Sequence, residues 1–240
     1  MAGTGIYVYG IVGADHPCRL DGLSGVGATG TTGAAVRRVA VGSTAAVVSA
    51  APAELLAKRR DLLTHQRVME ALWEQAAVLP MRFGVVAPSE DRLRAELSGA
   101  QPRYLALLAE VAGRGEMNVK VFQEEEMLVE RVSTDPAVRR AIGASRGNYL
   151  DQVRLGEIVA TAVQRLAAAD GERILRALTP LAARVARGPQ VEGCAMNLSF
   201  LVDVGWAGAF AEAVKGIGAD LGLLYRIRVT GPMPPYSFTG

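Results

Sequence analysis

Gly113-Arg114-Gly115, followed by Glu116-Met117-Asn118-Val119-Lys120-Val121-Phe122, is the stretch on which the fold turns. Two glycines around one arginine leave little side chain to bury, and such a stretch breaks regular structure. The next seven residues alternate, as a half-buried strand does. The break divides 240 residues into an N-terminal half, 1–113, and a C-terminal half, 114–240, each long enough for its own core.

Outward toward the C-terminus, residues 124–142 read as two helical pieces split at Asp135-Pro136. From Tyr149 to Val185 apolar residues recur at helical spacing; Gly171 is a candidate interruption, and Pro180 either starts a new turn or bends the old one. Cys194–Val204 reads as a strand, Trp206–Leu221 as a helix and Leu223–Val229 as a last strand. This order fits a split β-α-β arrangement of the ferredoxin-like kind, carrying a Pro-rich tail. Toward the N-terminus, Ile6–Val12 (IYVYGIV) is a strand, residues 13–33 a glycine-rich loop, and Val36–Val41 with Ala45–Ser49 a hairpin. A long amphipathic helix covers about Ala53–Ala77, and Val78–Ala87 (VLPMRFGVVA) returns to strand character. Ser89 caps a further helix, broken at Gly99 and Pro102 and resumed over Tyr104–Val111. The predicted fold class is α+β in two domains.

Composition excludes several functions. Residues 1–113 carry 11 basic and 10 acidic side chains, and residues 114–240 carry 15 and 14. No clustered positive charge exists to displace counterions from phosphates, so nucleic acid is not an expected partner. No apolar run reaches the ~18 residues of a membrane span, and the N-terminus lacks the positive segment of a signal peptide. A lipid membrane is not expected as a partner, and the chain reads as soluble and cytoplasmic. Cys18 and Cys194 are expected as free thiols.

Four residue patterns resemble chemical sites, and each lacks the context its chemistry needs. Gly25, Gly27 and Gly30 satisfy G-x-G-x-x-G, but a dinucleotide fingerprint needs a strand directly before and a helix directly after. Gly143 to Gly147 satisfies G-x-S-x-G, yet helix precedes it and both histidines lie upstream, against the order of a hydrolase elbow. His16, Cys18, His65 and Cys194 are zinc-ligand types without zinc-ligand spacing. His65 sits on the helix face of Leu62, Met69 and Leu72, where a satisfied core histidine is the commoner case. Glu124–Glu126 open a helix, where acids complement the dipole. No catalytic constellation, cofactor or metal is expected. The rival reading is a small-molecule-binding or enzymatic domain that uses the glycine loop at 22–33.

Four segments carry a resemblance: YVYGIV at 7–12, LPMRFGVV at 79–86, NLSFLVD at 197–203 and TGPMPPYSF at 230–238. In order and spacing the chain resembles the GvpF/GvpL family of gas vesicle accessory proteins, with Met233 where that family usually shows Trp. The resemblance implies a cytoplasmic, vesicle-associated, two-domain α+β protein that is not an enzyme. It also implies contact with the hydrophobic gas vesicle shell protein and with other accessory proteins during vesicle nucleation or formation. The positions it marks, Pro80, Arg82, Phe83, Gly84, Gly231, Pro232, Pro234, Pro235, Tyr236 and Phe238, serve either fold or partner contact. On structural grounds Arg82 is expected to pair with an acid, and Gly84 to mark a bulge. The prolines are expected to let Tyr236 and Phe238 dock at little entropic cost. Loop 13–33 is expected to be mobile and dispensable.

Overall fold

The computed structural model describes residues 5–27, 34–145 and 147–239. The fold is α+β and forms two compact units. One runs through Glu116 and takes back the chain from Pro232 onward; the other is Met117–Gly231.

In the first unit, β1 (Ile6–Gly13) lies between β3 (Thr44–Ala50) on one side and β4 (Val78–Pro80) with β5 (Val86–Ala87) on the other; β2 (Arg37–Val41) completes the order β2-β3-β1-β4. All these pairings are antiparallel. Helix α1 (Arg59–Trp73) packs on one face through Val68, Met69 and Leu72. Helix α2 (Glu90–Val111) covers the other, where the buried Leu93 and Leu97 line one cavity with Val8 and Ile11. Burial on both faces explains why β1 is a continuous apolar run. A register shift between Val8 and Gly10 lets Tyr7, Tyr9 and Val12 all reach the α1 core, against strict alternation.

In the second unit the sheet order is β7-β8-β6-β9, from β6 (Arg114–Gln123), β7 (Arg184–Arg187), β8 (Cys194–Asp203) and β9 (Tyr225–Met233). Helices α3 (Glu125–Ser133), α4 (Pro136–Ala144) and α5 (Tyr149–Leu178) connect β6 to β7, and α6 (Ala207–Leu221) connects β8 to β9. Asp135 caps α4 by accepting from the Ala137 and Val138 amides, with Pro136 in the first turn, where its missing N–H costs nothing. The core joins Met117, Val119, Val121, Phe200, Ile174, Leu178 and Phe210.

Five expectations need correction. Helix α1 begins at Arg59, not near Ala53, because Leu55 reaches the core from a non-helical stretch. Helix α2 runs unbroken through Gly99 and Pro102; Leu93, Leu97, Tyr104, Leu108 and Val111 share one buried face, which outweighs the hydrogen bond lost at proline. Residues 78–87, expected as strand, are two short strands around a turn, and Gly84 lies in that turn instead of at a bulge. The helical spacing expected through Val185 ends earlier: helix α5 stops at Leu178, and Arg184–Arg187 form β7. Loop 13–27 packs as structure: Val26 is fully buried, and Leu20 and Leu23 pack on the α1 core. Residues 28–33, with Gly30 and Gly33 of the glycine pattern, lie outside the described residues.

Candidate functional site

Three of the four motif segments converge in the first unit. Tyr7 of β1 and His65 of α1 are buried side by side, and the Tyr7 hydroxyl donates to His65 Nδ1 at 2.9 Å. His65 Nε2 faces the Met81 carbonyl at 3.1 Å, which only accepts, so His65 is the neutral Nε2–H tautomer. The Gly84 amide donates to the Tyr7 oxygen at 3.3 Å. A hydrogen-bonded chain thus runs from the 81–84 turn through Tyr7 and His65 back to the same turn. Phe83 sets its ring edge against both, 6.0 Å from Tyr7 and 5.9 Å from His65. Gly84 holds φ +99°, a conformation that disfavours any L side chain.

A second network starts at Tyr9, whose hydroxyl accepts from the Val26 amide at 2.8 Å and meets Ser49 Oγ at 3.0 Å. Gly25 lies beside it. A Cβ there would fall 2.6 Å from the Ala34 carbonyl oxygen and 2.9 Å from the Ser49 side chain. Close packing therefore explains glycine at 25, and the segment after the loop is strand β2, which offers no helix N-terminus to a pyrophosphate. Asp61, in the first turn of α1, accepts from the Gly27 amide at 3.2 Å.

The tail folds onto this region. Pro234, Pro235 and Phe238 are buried, and Tyr236 packs against the cluster of Tyr7, Tyr9 and Met69. The buried Glu116 carboxylate accepts from the Ser237 amide and hydroxyl, each at 2.8 Å, and the Thr239 hydroxyl donates to the Pro80 carbonyl at 3.3 Å. Trp73 donates to the Arg114 carbonyl at 3.0 Å. Gly231 and Pro232 are exposed at the end of β9. Arg82 is exposed and makes no ion pair among the described residues, contrary to the expected acid partner. The fourth segment, NLSFLVD, lies within β8, where Asn197 Oδ1 accepts from Asn118 at 2.9 Å.

Burial sets the electrostatics. It lowers the pKa of His65, with the Met81 hydrogen bond opposing, and lowers that of His16, with the Leu72 carbonyl opposing. Burial, then the Glu70 and Glu116 charges, push the Tyr236 hydroxyl up to about 12. His16 Nδ1 accepts from the Cys18 amide at 3.0 Å, and its Nε2 donates to the Leu72 carbonyl. Both histidines are engaged with protein atoms, and no group of three or more His, Cys, Asp or Glu able to hold a metal occurs among the described residues. Ser145 of the G-x-S-x-G match ends helix α4 instead of following a strand. Sequence reasoning missed Glu116 as an anchor. A carboxylate opening an apolar strand was the available sign.

Known proteins resemble this chain over nearly its whole length. The chain is 38% identical over 237 residues to gas vesicle protein F of Streptomyces sp. (strain CB03234), covering 97% of this chain and 98% of that protein. It is 30% identical over 260 residues to gas vesicle protein L of the same strain, covering 98% and 92%. Its fold matches the crystal structure of GvpF from Anabaena sp. PCC7120, with a TM-score of 0.81 at 22% identity over 99% of both chains. GvpF from Microcystis aeruginosa gives 0.79 at 23% identity over 99% of this chain and 100% of that one. From residue 5 to residue 240 the sequence matches the family model described as gas vesicle synthesis protein GvpL/GvpF, and the chain belongs to that family.

Proposed function

We propose that this protein is a non-enzymatic assembly factor that binds the hydrophobic shell protein and other accessory proteins during vesicle nucleation or formation, in the cytoplasm. One observation carries the reading beyond family membership. The first turns of α5 expose Tyr149 (78%), Leu150 (67%) and Val153, and the end of α4 exposes Ile142. Large apolar side chains left in water favour an apolar partner, and a shell protein that builds a water-excluding wall must be held before it closes. The motif positions of the first unit take a structural role in this reading. Arg82, exposed at the turn, is the exception and faces a partner. The second unit is a variant of the split β-α-β fold: β6 and β8 are neighbours at the centre, flanked by β9 and β7, in a strand-helix-strand-strand-helix-strand order.

Co-expression with the shell protein tests the proposal. Tyr149→Glu with Leu150→Glu should lower co-purification of the shell protein at an unchanged melting temperature, since both side chains already stand in water. Undiminished co-purification would overturn the assignment of this surface.

A further inference from the structure

The sheet of the second unit buries Met117, Val119, Val121, Tyr225 and Ile227 against its helices. Alternation therefore puts Lys120 and Phe122 of β6, with Arg226 and Arg228 of β9, on the other face. There both guanidinium groups lie over the Phe122 ring, 5.1 Å and 5.4 Å from its centroid. Glu124 neutralises Arg226 at 3.2 Å. The side chains of Arg228 and Lys120 have no hydrogen-bond or ion-pair partner among the described residues. Strand β9 is also an edge: its one neighbour in the sheet, among the described residues, is β6, and its residues 228–231 are exposed.

We propose that this corner docks an acidic, extended segment of a partner protein, which adds as a strand along β9 and sets its carboxylates against Arg228, with Lys120 one strand further in adding to the positive field. An edge strand offers unpaired backbone groups to an incoming strand, and every second side chain of that strand falls on the cationic face. Two unpartnered cations beside one neutralised pair leave a net positive face, whose complement is acid. The same geometry disfavours single-stranded nucleic acid. A base needs an open ring to stack on, and Phe122 is already covered by guanidinium groups. The inference rests on the assembly-factor reading for its class of partner, and not on the α5 surface.

The test titrates the full-length protein, by fluorescence anisotropy at low salt, against three labelled probes. They are a short peptide alternating Glu and Val, the same peptide with Lys for Glu, and a single-stranded RNA oligomer. The Glu peptide should bind alone, and added salt should weaken it. Lys120→Glu with Arg228→Glu should weaken it by about tenfold or more and create affinity for the Lys peptide. Arg228→Gln, the milder change, should lose part of the binding with melting unchanged. Equal binding of both peptides, binding of neither, indifference to the substitutions, or displacement of the Glu peptide by RNA would each overturn the proposal. A protein that retains the shell protein in co-purification but ignores the Glu peptide loses this surface and keeps the assembly reading.

Discussion

In the first unit His16, His65, Asp61, Ser49 and Glu116 sit buried among apolar side chains, each with hydrogen bonds, whereas in the second the core from Met117 to Tyr225 is aliphatic and aromatic. Among the described residues, Ser199 is the one buried polar residue of the second unit that stands apart from that contrast. A satisfied polar network fixes one arrangement of its partners, because any other leaves a buried donor or acceptor unmatched. An apolar core accepts several packings of similar volume. The first unit should therefore be the more specific and the more fragile, and the second the more forgiving of proton and solvent.

Native-state hydrogen exchange, which reports each unit separately, can break or sharpen that contrast. The largest effect is expected from deleting residues 234–240. This removes the buried Phe238, the half-buried Tyr236 and two hydrogen bonds to Glu116, and should cost the first unit about 3–5 kcal/mol. Protection in the second unit should persist, and equal loss in both would end the distinction. Next is Phe200→Ala, which empties a site in contact with Phe210 and should cost the second unit about 3 kcal/mol, equally at pH 7 and pH 5.

Tyr7→Phe keeps the ring and removes one oxygen, leaving the Gly84 amide and His65 Nδ1 without the partner they share. It should cost about 1–3 kcal/mol by chemical denaturation, and a neutral result would show that the network is ornamental to stability. Acid acts on the same network. Burial holds both histidines below the ordinary value of 6.5, so the folded unit binds protons less readily than the unfolded chain. Stability should be flat above pH 6.5 and fall below it, by at most about 1.4 kcal/mol per histidine for each pH unit, until the lowered folded values are reached. The second unit, which contains neither histidine, should not follow. Smallest of all, Arg82→Ala should shift stability by no more than about 0.5 kcal/mol, while reducing vesicle yield in cells.

Local signals were legible where pattern and packing agree. The Asp135-Pro136 split between α3 and α4 follows from capping chemistry, and the hairpin of β2 and β3 from its short polar turn. What escaped was set by distant partners. Helix α2 crosses Pro102 because its buried face continues on both sides, a fact that no window around the proline contains. The loop glycines looked like freedom, yet Gly25 is pressed between Ala34 and Ser49, residues 9 and 24 positions away. The motif segments could be recognised in the sequence, but not their meeting place, since Thr239 and Pro80 are joined across 159 positions.

That separation bears on how the protein is made. On the ribosome, Glu116 emerges well before Ser237, and the whole second unit is synthesised between them. At about 5–20 residues per second the delay is on the order of ten seconds. Throughout it the nascent first unit lacks the side chains of Tyr236 and Phe238 and shows the apolar ground they later cover. Whatever keeps newly made protein from aggregating in the cell must guard that patch until the tail arrives.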